Sequence, residues 1–236
     1  MTRVTSQTDD GPAGERGLFC YDMAAGSERQ VDLEGLGAQT GAVKGDVSPD
    51  GSLLALVAAN AEHDRELTVH SVATGRIVLQ SPVLPGGESA WGTEVWSVSW
   101  SPDGTQLAFI VDKTPQYESC ICIADATSGE IVRTVERWGF QLDWSRRNKF
   151  AAFWGGDPDT GISVVDAFTG DQEWSSVGVG GPADPAWSPD GNVLACTSFD
   201  IGQKNWPTSI TAVDPFAHDA EPRVIAKDGE SPAWRP

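Results

Sequence analysis

One phrase recurs along this chain: a bulky residue, then Ser-Pro-Asp-Gly, then a short apolar run. It stands at Val47-Ser48-Pro49-Asp50-Gly51, Trp100-Ser101-Pro102-Asp103-Gly104 and Trp187-Ser188-Pro189-Asp190-Gly191. A divergent copy stands at Trp144-Ser145-Arg146-Arg147-Asn148, and a fifth begins at Trp234-Arg235-Pro236. The leading residues are 53, 44, 43 and 47 positions apart. A period in that range, with strand-like content in each unit, reads as an all-β chain folded as a β-propeller. Propellers host many functions, so the repeat speaks for architecture and names no partner.

Each letter of the phrase has a reason. Pro49, Pro102 and Pro189 preset φ for the first corner of a type I turn. Asp50, Asp103 and Asp190 can bond the backbone just ahead, and Gly51, Gly104 and Gly191 take the left-handed position without steric cost. In the divergent copy Asn148 occupies the glycine column, and asparagine tolerates that conformation best after glycine. Such a turn is a common three-residue hairpin connection. The runs that follow, Leu54-Ala55-Leu56, Leu107-Ala108-Phe109, Ala151-Ala152-Phe153 and Leu194-Ala195-Cys196, read as second strands. Their small middle residue suggests close approach of a neighbouring sheet.

A second turn column appears at Asp125 to Gly129 and Asp166 to Gly170, with matches at Asp22 to Gly26 and Ser71 to Gly75 and a variant at Asp214 to His218. A β-prone stretch follows each, giving four strands per unit and one propeller blade per unit. The repeated aspartates and glycines are therefore turn residues, and the repeated tryptophans read as packing between blades.

At W-S-P-D-G-x-x-L-A-F followed by I-x-x-x-D-x-x-T-G, the chain resembles the WD40-like (PD40) propeller units of TolB-type proteins and of the propeller domains of prolyl-oligopeptidase relatives. The resemblance covers residues 18–236. It implies a blade scaffold of the kind used to hold another protein. It carries over no catalytic residue, because in the peptidase relatives the chemistry sits in a separate hydrolase domain.

The distance from the leading residue to the second turn is 24, 25, 22 and 27 residues in the four complete units. Joining Trp234 at one end to Asp22 at the other gives 24, inside that range. The expectation is one propeller domain over 1–236 with five four-stranded blades, roughly 231–236 plus 1–33, 42–80, 93–135, 139–174 and 184–227. The C-terminal segment would supply the inner strand of a blade whose outer strands are N-terminal, and Val4 to Gln7 its second strand. A ring closed in this way predicts a monomer. A longer or an open propeller is the rival.

Composition narrows the partners. With 16 basic against 34 acidic residues the net charge is −18, which disfavours nucleic acid and anionic membranes and favours basic protein partners. Residues 1–17 are polar, without the apolar core of a secretion signal. The expectation is a cytoplasmic chain with reduced thiols. Cys120 and Cys122 share one strand face without easily bonding, and Cys20 and Cys196 sit among apolar strand residues.

No nucleophile elbow, phosphate loop, Cys-x-x-Cys or His-Glu-x-x-His is present. His63, His70 and His218 fall in different units without metal-ligand spacing, so neither a metal nor a cofactor is expected. Asn60, Glu62, His63 and Asp64 read as a hydrated loop, and Asp157-Pro158-Asp159-Thr160-Gly161 lacks enough spaced oxygens for calcium. Asp46, Asp143 and Asp184 lie on the first strands of three units and are candidates to converge on the channel, where paired carboxylates can do glycoside chemistry. Against this stand Trp91, Tyr117 and Trp206, outside every repeat column and within the long loops that share one face. Aromatic residues so placed are frequent interface anchors; capping of the channel is their structural alternative. The leading expectation is a noncatalytic propeller that binds a protein or peptide through its long-loop face. The alternatives are a carbohydrate-active propeller (glycosidase or lectin) and a detached regulatory propeller working with a separate hydrolase.

Overall fold

Wherever the sequence writes Ser-Pro-Asp-Gly, the chain reverses between two antiparallel strands. The computed structural model describes residues 2–6, 18–22, 26–35, 42–59, 65–80, 95–111, 120–135, 139–154, 161–177, 183–200 and 207–234. The first blade-like sheet contains β1 (Thr2–Ser6), β2 (Leu18–Asp22) and β3 (Ser27–Val31). The next contains β4 (Ala42–Val47), β5 (Leu53–Ala59), β6 (Arg65–Ser71) and β7 (Ile77–Gln80). It is followed by β8 (Val95–Trp100), β9 (Gln106–Val111), β10 (Cys120–Asp125) and β11 (Ile131–Val135). Then come β12 (Gln141–Trp144), β13 (Lys149–Trp154), β14 (Gly161–Asp166) and β15 (Gln172–Val177). The last sheet holds β16 (Ala183–Trp187), β17 (Leu194–Phe199), β18 (Thr208–Val213) and β19 (Arg223–Lys227). Every sheet is an antiparallel meander in chain order, the signature of propeller blades.

The turns are held by one set of bonds used repeatedly. Ser48 Oγ donates to Asp50 Oδ1 at 2.6 Å and accepts from Leu53 N at 2.9 Å, while Ser52 N donates to Asp50 Oδ1 at 3.0 Å. Ser101 with Asp103 and Ser188 with Asp190 repeat the pattern. Gly51, Gly104 and Gly191 take φ of 76°, 73° and 72°, and Asn148 takes 55° in the divergent copy. The serine hydroxyl, with the backbone donors behind it, holds Asp50 and Asp190 down at about 2, and lowers Asp103 in the same way. In the second column Asp125 Oδ1 accepts from Thr127 N and Ser128 N, and Asp166 Oδ1 from Phe168 N and Thr169 N.

Apolar side chains fill the spaces between successive blades. Ala55, Ala108 and Ala195 are fully buried, so the small middle residue of the second strand does sit where a neighbouring sheet comes close. The core of the β4–β7 sheet is continuous with that of β8–β11 through Val57, Leu67, Val98, Trp100 and Phe109. Ile110, Ile123, Leu142, Trp144 and Phe150 join β8–β11 to β12–β15. Trp187 stacks on Phe216 at 6.0 Å, and Trp144 meets Phe150 edge-on at 4.8 Å.

The blade count departs from the sequence expectation. Four sheets have four strands, and the sheet of β1–β3 has three, so the structure has four complete blades rather than five. β1 occupies the second-strand position expected near Val4, and lies beside β4. Of residues 231–236, expected to supply the inner strand, the described ones, 231–234, form none. The reason is local. Asp228 and Ser231 take φ of 55° and 48°, which turns the chain out of an extended path, and Pro232 has no N–H to give a ladder.

The three-stranded sheet is tied to its neighbour at one glycine. Glu34 N donates to Gly75 O at 2.9 Å, and a Cβ on Gly75 would stand 1.9 Å from Asp32 O. Gly75 also has φ of 71°. Gly75→Ala is therefore expected to cost about 1–2 kcal/mol. Chemical denaturation would show it as a lower midpoint at unchanged slope.

Candidate functional site

Strand direction divides the molecule into two unlike ends. The tight reversals lie at one end. Within the four complete blades, the connections 60–64, 112–119, 155–160 and 200–207 join second to third strands, and 81–94, 136–140 and 178–182 join one blade to the next. Antiparallel pairing brings all seven out at the other end. Trp91, Tyr117 and Trp206 belong to three of these connections and lie outside the described residues, as do His63 and residues 157–160.

Between the two ends the first strands β4, β8, β12 and β16 stand side by side around the axis, each bonded to the next by an Asp or Ser side chain in a fixed column. The residue just before the repeat's leading position accepts from the backbone of the following blade. Trp100 N donates to Asp46 Oδ2 at 2.8 Å, Trp144 N to Ser99 Oγ at 3.1 Å, and Trp187 N to Asp143 Oδ2 at 2.6 Å. Ala186 fills the column in the last sheet and has no acceptor to offer. There the indole of Trp234 donates to Ala186 O at 2.9 Å, as the indole of Trp100 donates to Asp46 O at 3.0 Å. The indole nitrogens of Trp144 and Trp187 are buried without an acceptor.

Two residues earlier on each strand, one layer nearer the long-loop end, a second ring forms. Ser97 Oγ accepts from Leu142 N at 3.1 Å. Gln141 binds Asp184 through its amide, Nε2 donating to Oδ1 at 3.2 Å and Oε1 accepting from Asp184 N. Asp184 also takes Lys44 Nζ on Oδ1 at 2.5 Å and Ser231 Oγ on Oδ2 at 3.0 Å. The Lys44–Asp184 ion pair joins β4 to β16. Asp184 holds this place in a left-handed conformation, φ 49°, at an irregularity of the β16–β17 ladder.

The three aspartates therefore do not converge as a set. Asp46 and Asp143 face each other through Ser99, whose hydroxyl donates to Asp46 Oδ2 at 3.2 Å and also reaches the Asp143 carboxyl. Asp184 stands one layer away, neutralised by Lys44. The spacing to the leading residue, one position for Asp46 and Asp143 but three for Asp184, carried this distinction in the sequence. Desolvation by the surrounding strands raises both inner carboxyls above the usual range, and Asp46 adds its charge to push Asp143 up to about 7.

The remaining candidates have structural partners. His70 is fully buried; its Nδ1 reaches Gly75 O at 3.3 Å and its Nε2 the Thr68 hydroxyl at 2.8 Å. A carbonyl only accepts, so the proton sits on Nδ1, and burial holds the ring below its ordinary pKa and neutral. The sulfurs of Cys120 and Cys122 are 3.7 Å apart on one strand face, with Cys122 in the apolar core. Among the described residues no group of three His, Cys, Asp or Glu is placed to hold a metal, and no helix is long and apolar enough to cross a membrane.

Neither a family model nor a curated protein matches this sequence. Solved structures do. TolB from Acinetobacter baumannii superposes with a TM-score of 0.67 at 16% identity, over 96% of this chain and 52% of that one. The hydrazine synthase of Kuenenia stuttgartiensis gives 0.61 at 15% identity, over 89% of this chain and 60% of that one. The WD40 repeats of RRP9 give 0.56 at 18% identity, over 81% and 53%. The chain thus spans between 52% and 60% of these structures' own chains. Likeness at such identities is a likeness of fold: the chain is a β-propeller, similar to TolB and WD40 propellers.

Proposed function

We propose that this propeller is a noncatalytic scaffold of the PD40 type that binds a protein or peptide partner through its long-loop face. The observation that carries this reading is the asymmetry of the two ends. One end is built of short turns whose serine and aspartate side chains bond within the hairpin, as at Ser48–Asp50 and Ser188–Asp190. The other end gathers all the long connections of the complete blades, among them those containing Trp91, Tyr117 and Trp206. The net charge of −18 favours a basic partner, and TolB-like and WD40-like neighbours supply the analogy of scaffolds built this way.

Trp91→Ala and Trp206→Ala, singly and together with Tyr117→Ala, are expected to weaken capture of partners from a lysate by tenfold or more, on the order of the ~2 kcal/mol that an interface anchor contributes. Melting temperature should stay within about a degree of the parent. Equal capture by parent and triple variant sinks the reading, and so does a loss of capture that only tracks unfolding.

One observation favours a second reading. Asp143, pushed up to about 7 beside Asp46, has the acidity a general acid needs for glycoside hydrolysis. Arabinoside or xyloside turnover that Asp143→Asn abolishes would establish the carbohydrate enzyme. The scaffold reading is favoured because both carboxylates are already spent on the backbone of the next blade.

A further inference from the structure

At the centre of the molecule one hydroxyl hydrogen stands between two carboxyl groups. Ser99 Oγ has a single hydrogen and stands between two carboxyl groups from the blades on either side. One of its lone pairs already accepts from Trp144 N at 3.1 Å. Its hydrogen goes to Asp46 Oδ2, which also accepts from Trp100 N. With both carboxyls ionised, Asp143 keeps the backbone N–H groups of Trp187 and Trp144 but faces the remaining lone pair of the serine and a second negative charge behind it. A proton on Asp143 relieves both: the Asp143 carboxyl donates to Ser99 Oγ, and Ser99 donates to Asp46. Asp143 meanwhile keeps Oδ2 for Trp187 N. The chain of bonds then runs from β12 to β8 to β4, and it begins at β12 because Ala186, next in the column on β16, has no hydrogen-bonding side chain.

Among the described residues nothing nearby offers a counter-charge instead. β5, β8 and β9, packed against these strands, contain no charged residue. Lys44, on the same strand as Asp46, pairs with Asp184, the one charged residue of β16. Lys149, at the start of β13, binds Asp166 and Glu173. β1 adds Arg3, whose side chain lies outside those described.

We propose that Asp143, Ser99 and Asp46 hold one proton between them as a pH-sensitive clamp on three successive blades, and that its loss loosens their contact. The sign is opposite to that of most structural aspartates. A carboxyl whose proton is held more tightly in the folded state stabilises the fold at low pH and ceases to do so as the pH rises. The folded value of about 7 against an ordinary 3.8 places the loss between pH 4 and 7. His70, held neutral by burial, works the other way over part of the same range, since folding must keep it uncharged. The clamp is therefore read as a difference between variants, not from one profile.

The test is thermal unfolding of the whole chain between pH 5 and 8.5. Asp143→Asn places a neutral amide where the protonated carboxyl stands: it can accept from Trp187 N and donate to Ser99. The variant is expected to melt about 2–4 °C above the parent near pH 5, where part of the loss has already occurred, and roughly 5–10 °C above it at pH 8. Asp46→Asn should remove part of the same difference by lifting the repulsion. Parallel parent and Asp143→Asn profiles across the range would overturn the proposal. Should the variant fail to fold, infrared spectra of the parent decide the matter. A buried protonated carboxyl band present at pH 6 and lost by pH 8.5 supports the clamp, and its absence at pH 6 rules it out.

Discussion

Trp187→Ala is expected to destabilise the protein by about 3–5 kcal/mol, the cost of emptying a buried aromatic site. Trp187 is 7% exposed and packs between the β12–β15 and β16–β19 sheets against Val164, Leu194 and Phe216. Conservative substitution separates packing from hydrogen bonding within the same column. The Trp187 and Trp144 indoles have no acceptor, so Trp187→Phe and Trp144→Phe lose area alone. Trp100 donates to Asp46 O, so Trp100→Phe should cost about 1 kcal/mol more than either. Denaturant titrations of the three Phe variants and Trp187→Ala measure both differences. A Trp100→Phe variant no weaker than the other two would show that the bond between blades contributes nothing.

What could be read from the sequence was what neighbours in the chain decide. Ser48, Asp50 and Gly51 satisfy one another within a few residues, so the hairpin is written in the phrase itself. The same is true of the turn bonds of Asp125 and Asp166, which reach no further than the next three residues, although Asp166 also holds Lys149 from the preceding strand. The small residue at Ala55, Ala108 and Ala195 also gave away its close contact, because only a neighbouring sheet asks for it. The role of Asp46 and Asp143 was out of reach. Their partners, Trp100 N and Trp187 N, lie 54 and 44 residues away, and the carboxylates read equally well as a hydrolytic pair. Backbone donors carry no sequence signature. The second ring was hidden for a related reason. Asp184 meets Lys44 across 140 residues, and that meeting depends on a left-handed turn at an aspartate that no pattern announces.

The C-terminal segment shows where pattern and geometry part. Trp234 takes up the position its column requires, giving its indole to Ala186 O as Trp100 does to Asp46 O, although it is 37% exposed and on no strand. Ser231 N donates to Thr197 Oγ1 at 2.8 Å and Ser231 Oγ to Asp184 Oδ2. The segment thus contributes side-chain anchors where a strand would contribute a ladder. Removing residues 229–236 is expected to cost about 2–4 kcal/mol: two or three hydrogen bonds and the covered part of one indole. For a domain of this size that lowers the melting temperature by roughly 4–16 °C. It should also weaken the Lys44–Asp184 pair, since Asp184 loses the hydroxyl that fixes its second oxygen. Lys44→Met should therefore destabilise the truncated chain less than the full one, a coupling that a double-mutant cycle reads directly. A truncated chain that melts with the parent would show that these anchors are dispensable and that the β16–β19 sheet is complete without them.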